Sequence, residues 1–355
     1  MSIMERLHFL DGVRGFMCLV VVVYHVLYTQ VDFEGKKASA NFWAGFVFNG
    51  RLAVELFWVT SGFSLACVTL PKSVATTLIA RLPRLLIPVL AFVPVSLMVL
   101  GQFDPLLYIK EPAVLTLSIL KSAGPSFRDD FLRAKFGQMW SLEAEIYGSV
   151  VVLGITLLRP YIDRPLLPLL LLCVWCYYVF PNILYMVTGV IVRELHLTVF
   201  AELKDSRTGV IAAIVALVAF FGMHGFLETI NDLGGEWAPN RPRSGLLYDW
   251  ARQLRCASLF SAIGCSTVVA SVFESRLALF LGRNSYSAYI IHPTVIFFIE
   301  PYIKRLPVRL LVVPLTTFWL SEFCWRHLDA AAMGWSKRIA WRFTEPVVVP
   351  LLSIA

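Results

Sequence analysis

The residues in this chain best able to do chemistry sit where hydrocarbon is expected. Arg14 and His25 lie in LDGVRGFMCLVVVVYHVLYT, Leu10 to Thr29, an apolar run long enough to cross a bilayer. Eleven helical steps of ~100° bring His25 to within about 20° of Arg14, so both point the same way. At ~1.5 Å per residue, His25 lies roughly 16 Å deeper. An ionisable residue inside a membrane segment is a functional hypothesis by default. A cation at the membrane face, with an acid–base group in line three turns deeper, suits a long ligand with an anionic head and a reactive tip. Taken alone, Arg14 also fits an interfacial anchor that snorkels to the headgroups. His25 has no interface to reach if the helix spans.

Further charges lie in other apolar runs. Arg51 and Glu55 are four apart and can pair on one helix face. Arg81 and Arg84 lie one turn apart in RLPRLLIP. They fit a cytoplasmic topology signal. With Arg14 at the same face they also make three guanidiniums, whose forks suit phosphate oxygens. Ser141 and Glu145 share a face, while Glu143 points elsewhere. Arg252 and Arg255 can hold an anionic substrate, pair with Glu145 or anchor a helix end. Ser285, Tyr289 and His292 fall at i, i+4 and i+7, a polar stripe of the kind that more often glues helices together than does chemistry. Glu322 is a carboxylate near the inner end of the last expected helix, and His224 is read as interfacial.

The elements that must position these groups follow from composition. Of 355 residues, 58 % are hydrophobic and only 15 % charged, where a soluble domain has about a quarter charged. The expected fold is all-α, a polytopic integral membrane helix bundle of about ten transmembrane helices with both termini cytoplasmic. The helices run about Leu10–Thr29, Phe42–Leu70, a third to Phe103, a fourth from Gln138, then Pro165–Phe180, Pro181–Arg193, Gly209–Leu227, Leu246–Phe273, one after Gly282, and Val308–Arg326. Thr60, Ser61 and Gly62 should let another helix approach closely. The loop between Phe103 and Gln138 is expected outside. Residues 1–343 read as one transmembrane domain and 344–355 as a tail. The net charge of +7 lies mostly in short clusters between apolar runs, which is topology and not nucleic-acid affinity. The first apolar run should stay as a signal anchor. All seven cysteines fall in apolar stretches, Cys173 and Cys176 included, so no disulfide framework and no metal cluster is expected. There is no tandem repeat, Walker loop or GxSxG elbow.

Five segments, in order, resemble the membrane acyltransferase type 3 family. LDGVRGFMCLVVVVYH resembles its Arg-x10-His opening at Arg14 and His25. NGRLAVELFWVTSGF resembles a second motif at Gly50, Val54, Glu55, Phe57, Ser61, Gly62 and Phe63. RLPRLLIP resembles Arg-x-x-Arg-x-x-x-Pro at Arg81, Arg84 and Pro88. MWSLEAEIY resembles Trp-Ser-Leu-x-x-Glu at Trp140, Ser141, Leu142 and Glu145. LGRNSYSAYIIH resembles Gly-x-x-Ser-Tyr-x-x-Tyr-x-x-His at Gly282, Ser285, Tyr286, Tyr289 and His292. The end departs from the pattern: RHLDAAAM carries Asp329 where members often close on Glu-x-Pro.

The resemblance implies an integral membrane O-acyltransferase, acetyl transfer being the usual case, with acetyl-CoA or another acyl-CoA as donor and no metal. The acceptor would be a hydroxyl of an extracytoplasmic glycan, a lipid-linked sugar or a small natural product. The expected setting is the bacterial inner membrane, with membrane lipid as a partner and no nucleic acid. On this reading Arg14, Arg81 and Arg84 bind the CoA phosphates. His25 is the general base, Glu145 or Glu322 orients it, and Ser141 or Tyr289 donates to the oxyanion. Glu55, Arg51, Tyr289, His292, Arg252 and Arg255 are the substrate-facing candidates. A covalent acyl carrier at His25 or Ser141 is the second scheme. The rival from another class is a transporter or flippase that uses the same charges for proton coupling.

Overall fold

The computed structural model describes residues 7–34, 49–68, 71–99, 101, 140–162, 165–179, 182–233 and 246–344. These are all helical apart from turns, with no strand among them. In chain order the helices are α1 (His8–Glu34), α2 (Gly50–Ala66), α3 (Pro71–Val99), α4 (Trp140–Leu158), α5 (Leu166–Val179), α6 (Leu184–Leu195), α7 (Arg207–Leu233), α8 (Leu246–Cys265), α9 (Thr267–Glu274), α10 (Arg276–Ile299), α11 (Leu306–Cys324) and α12 (Ala330–Thr344). The expected loop between Phe103 and Gln138 and the tail beyond 344 lie outside the described residues.

The bundle is organised on α1 and α10, which run parallel and in register. Cys18 Sγ donates to the Ser285 carbonyl at 3.2 Å, and His25 meets His292, each pair 267 residues apart. The register is set by glycine. A Cβ on Gly15 would come within 2.4 Å of the Gly282 nitrogen, and one on Gly282 within 2.1 Å of the Asp11 carbonyl oxygen. Without side chains there, the two backbones touch, as small residues allow in membranes. On the other side of α1, α2 runs antiparallel, with Gly50 against the Tyr24 ring and Ser64 against Arg14. The expected close approach at Thr60–Gly62 is made by α6, since a Cβ on Gly62 would lie 2.0 Å from the Met186 carbonyl oxygen.

Two boundaries differ from expectation. The single helix expected over Leu246–Phe273 is broken into α8 and α9, with a 103° bend. Ser266 adopts an extended backbone and caps α9 by accepting from the Val269 amide. Asp205, at φ 58°, accepts from both the amide and the hydroxyl of Thr267 at 2.9 Å. Capping satisfies the amides that a continuous helix would have bonded, so the chain turns. The last helix does not stop at Arg326. It continues through a π-helical turn, Trp325–Asp329, into α12.

Five described helices are long and apolar enough to cross a membrane, six if α8 and α9 form one broken span. Ten was the expectation. The difference falls on helices such as α2, of 17 residues, and α10, whose apolar run is interrupted by Arg283, Asn284, Ser285 and His292. Both are largely packed against protein, so neither must be long or uniformly apolar.

Candidate active site

On α1, His25 Nδ1 lies 2.9 Å from the Val21 carbonyl and 3.2 Å from Nε2 of His292. His292 is fully buried, and its own Nδ1 lies 2.8 Å from the Tyr289 carbonyl. The reason is local. Pro293 follows His292 and has no N–H, so the Tyr289 carbonyl lacks its usual helical donor. The His292 ring supplies one.

A carbonyl only accepts, so the hydrogen-bond geometry assigns the protons. His292 carries its proton on Nδ1 and offers Nε2 as an acceptor. His25 carries its proton on Nδ1, shared between Val21 and His292. Its Nε2 is therefore the bare nitrogen, the atom a general base uses.

One turn before His292 on α10, the Tyr289 hydroxyl meets the Ser141 hydroxyl at 2.7 Å. Trp58 Nε1 donates to the Ser141 carbonyl at 3.3 Å, which pins the start of α4 to α2. Either hydroxyl of the Ser141–Tyr289 pair can be the donor.

One turn further along α4 is a charged cluster. Glu145 accepts from Ser61 Oγ at 2.7 Å and pairs with Arg81, whose Nε donates to Ser149 Oγ at 2.6 Å. Arg14 Nη2 donates to Ser64 Oγ at 2.8 Å, and its Nη1 meets Asp11 at 3.0 Å. Ser61 and Ser64 are three apart on α2, so they bring Arg81 and Arg14 to one region. Arg84 is exposed, and its charge together with that of Arg14 acts on Arg81. Arg14, Arg81 and Arg84 thus gather toward one end of α1, and the histidines lie toward the other.

Several expected contacts are not made. Glu145 is held by Arg81 and Ser61, not by His25. Glu322 accepts from Asn284 Nδ2 and Arg283 Nη2, both at 2.8 Å, and from Arg326 Nε at 2.9 Å. Asn284 lies eight residues before His292, roughly 12 Å along α10. The side chain that meets the His25 imidazole is His292, which the polar-stripe reading treated as helix glue. The His-Pro dipeptide was the available signal for its tautomer.

Arg252 does not reach Glu145. It pairs with buried Glu55, which also accepts from Tyr185 Oη at 2.9 Å and lies 3.5 Å from Arg51 Nε. The reason is that α8 packs on α6, where Gln253 accepts from Thr188 Oγ1 at 2.7 Å. Arg255 Nε donates to the Phe220 carbonyl at 3.0 Å. The side chain of His224 lies outside what is described. Sequence reasoning also passed over Ser61, Ser64 and Ser149 as arginine partners, and Ser287, which donates to Asp329 at 2.6 Å.

The chain is thus a helix bundle with several membrane-length apolar spans, a pair of imidazoles in contact between two helices and a cluster of arginines. The family model described as an acyltransferase domain matches residues 7–324, nearly the whole chain. The chain belongs to that family, acyltransferase 3, and is a membrane acyltransferase. No curated protein and no solved structure matches it.

Proposed function

We propose that the chain is an O-acyltransferase that moves an acyl group, acetyl in the simplest case, from cytoplasmic acyl-CoA to a hydroxyl presented from the other side of the membrane, such as that of a glycan or lipid-linked sugar. The observation that carries this reading is the His25–His292 pair, with the bare Nε2 of His25 available as a base.

Arg14, Arg81 and Arg84 would hold the phosphates of the donor, with Arg84 as the exposed member. His25 Nε2 takes the acceptor hydroxyl proton as that oxygen bonds to the thioester carbon. The carbonyl oxygen becomes an oxyanion, with the hydroxyls of Ser141 and Tyr289 as the candidate donors to it. The C–S bond then breaks, and the sulfur leaves as thiolate or takes the proton back from His25. While His25 is an imidazolium, its Nδ1–H still donates to Val21 and His292, so the charge forms in a site already arranged for it. Preorganisation on two rigid helices supplies the alignment.

The test is release of free CoA from proteoliposomes given acetyl-CoA and an acceptor. Release that His25→Ala abolishes, with the variant still inserted, supports the reading. No release, with efflux of the acceptor intact, would favour a transporter.

A further inference from the structure

Away from the histidines, α2, α4, α5 and α6 enclose a cavity of about 260 Å³. Its wall is mostly apolar and includes Ile155, Leu172 and Val190. Leu158 also lines it and is 60 % exposed, so the cavity reaches the outer face of the bundle. The segments that line the cavity, α5 and the end of α4 with the turn after it, carry exposed Leu167, Leu171 and Tyr161. This is the composition of a lipid-facing surface that ends in an interfacial aromatic.

The rim holds three charges. Arg159 Nη2 and Arg193 Nη1 lie 3.1 Å and 2.6 Å from the two oxygens of Glu194. Two guanidiniums on one carboxylate leave a positive charge in excess. Arg193 is only 9 % exposed, with the Cys67 thiol beside it. Its Nε, like that of Arg159, is buried and without a hydrogen-bond partner. A buried donor left unsatisfied is costly, and an incoming acceptor would relieve it.

We propose that this cavity binds an anionic membrane glycerophospholipid, with its phosphate on Arg159 and Arg193 and part of one acyl chain inside. Arginine forks match phosphate oxygens. At ~30 Å³ for each water-sized unit, the cavity holds roughly nine such units, about half of one chain. The excess positive charge selects a headgroup with net negative charge over a zwitterionic one. Neither arginine belongs to the proposed acyl-transfer machinery, so the proposal stands apart from the reaction.

The test is native mass spectrometry of the full-length protein from mixed micelles of phosphatidylglycerol and phosphatidylcholine with matched chains. Retention should favour phosphatidylglycerol by about fivefold, the order expected for one arginine beside an anionic headgroup. Arg159→Gln should bring the ratio to near one. Ile155→Trp fills the cavity and leaves both arginines, and it should lower retention of the lipid. Leu172→Phe is the milder filler should the tryptophan variant fail to fold. Glycerol phosphate, the headgroup without chains, should not displace the lipid at equal concentration. The proposal is overturned if the wild type shows no headgroup preference, if either the charge variant or a folded filling variant retains lipid like the wild type, or if glycerol phosphate alone competes as well as the lipid.

Discussion

Replacing His292 with alanine removes an acceptor for the His25 Nδ1–H and leaves the Val21 carbonyl as the remaining one. The loss is felt most when His25 is protonated. A hydrogen bond to a charged group contributes about 1.5–3 kcal/mol, which is roughly a 10- to 150-fold fall in kcat. Because Val21 still accepts, the lower end of that range is expected. His25→Ala removes the base itself and should cost about 10²- to 10⁴-fold. Since His292 acts only through His25, the double variant should be no slower than His25→Ala alone. His292→Gln, whose amide oxygen can accept, should recover most of the loss. KM for acyl-CoA should stay unchanged in all of these variants, because the arginines sit toward the other end of α1. The assay is initial-rate release of CoA from proteoliposomes, with insertion checked by size-exclusion profile. Wild-type kcat in His292→Ala, additive losses in the double variant, or a loss confined to KM would each refute the argument.

Other expectations follow from the same contacts. Arg84→Ala should raise KM for acyl-CoA with little change in thermal stability, because Arg84 is exposed; an unchanged KM would return Arg84 to a topology role. Arg81→Ala should instead destabilise the protein by about 1–3 kcal/mol, since it leaves Glu145 with only the Ser61 hydrogen bond in a partly buried site. Thermal unfolding of Arg81→Ala beside Arg81→Ala/Glu145→Ala checks this, because the double variant should regain stability. Gly282→Ala should lower kcat by at least about tenfold, the effect of losing alignment at a reacting group, and a wild-type rate would show that the α1–α10 contact is not tight. The Asp205 carboxyl is held below its ordinary range by hydrogen bonds from Thr267. A depressed carboxyl stabilises above its unfolded pKa and loses that contribution as pH falls through the folded value. Exchange of the Thr267 amide should therefore be protected at neutral pH and lose protection in acid, and Asp205→Asn should weaken that pH dependence.

Periodicity made part of this site legible. The helical step puts Arg14 and His25 on one face, and hydrophobic run length finds most helices of the bundle. Periodicity describes one helix at a time, though, and the missing facts are all about which helix meets which. Glu145 could be placed on the Ser141 face, but not beside Arg81, because that pairing depends on α3 crossing α4. Arg252 looked equally able to reach Glu145 or a ligand, and only the docking of α8 on α6 sends it to Glu55. The break at Ser266 was hidden for another reason. Hydropathy is continuous across it, and the competing signal is a serine cap joined to an aspartate 62 residues away in the interaction with Thr267. Two shorter signals were readable and passed over. One is the proline after His292, which frees a carbonyl for the ring. The other is glycine at both Gly15 and Gly282, on helices far apart in the chain.

Those glycines bear on why the imidazoles meet where they do. Along the shared register of α1 and α10, the facing residues are Gly15 with Gly282, Cys18 with Ser285, and His25 with His292. Side-chain size rises from none, through two small groups, to a pair of rings 4.9 Å apart. The backbones therefore touch toward the arginine end and are spaced by side chains toward the histidine end. A contact without side chains has no rotamers to relax, so it acts as a pivot that fixes the relative height of the two helices. A methyl group on Gly282 would fall 2.1 Å from the Asp11 carbonyl oxygen, while real contacts of this kind stay above 3.0 Å. The helices would have to part by about an ångström, and a 3.2 Å bond between the rings does not survive a shift of that size. The glycine contact and the His25–His292 bond are thus one structural fact seen at two heights along the same helix pair.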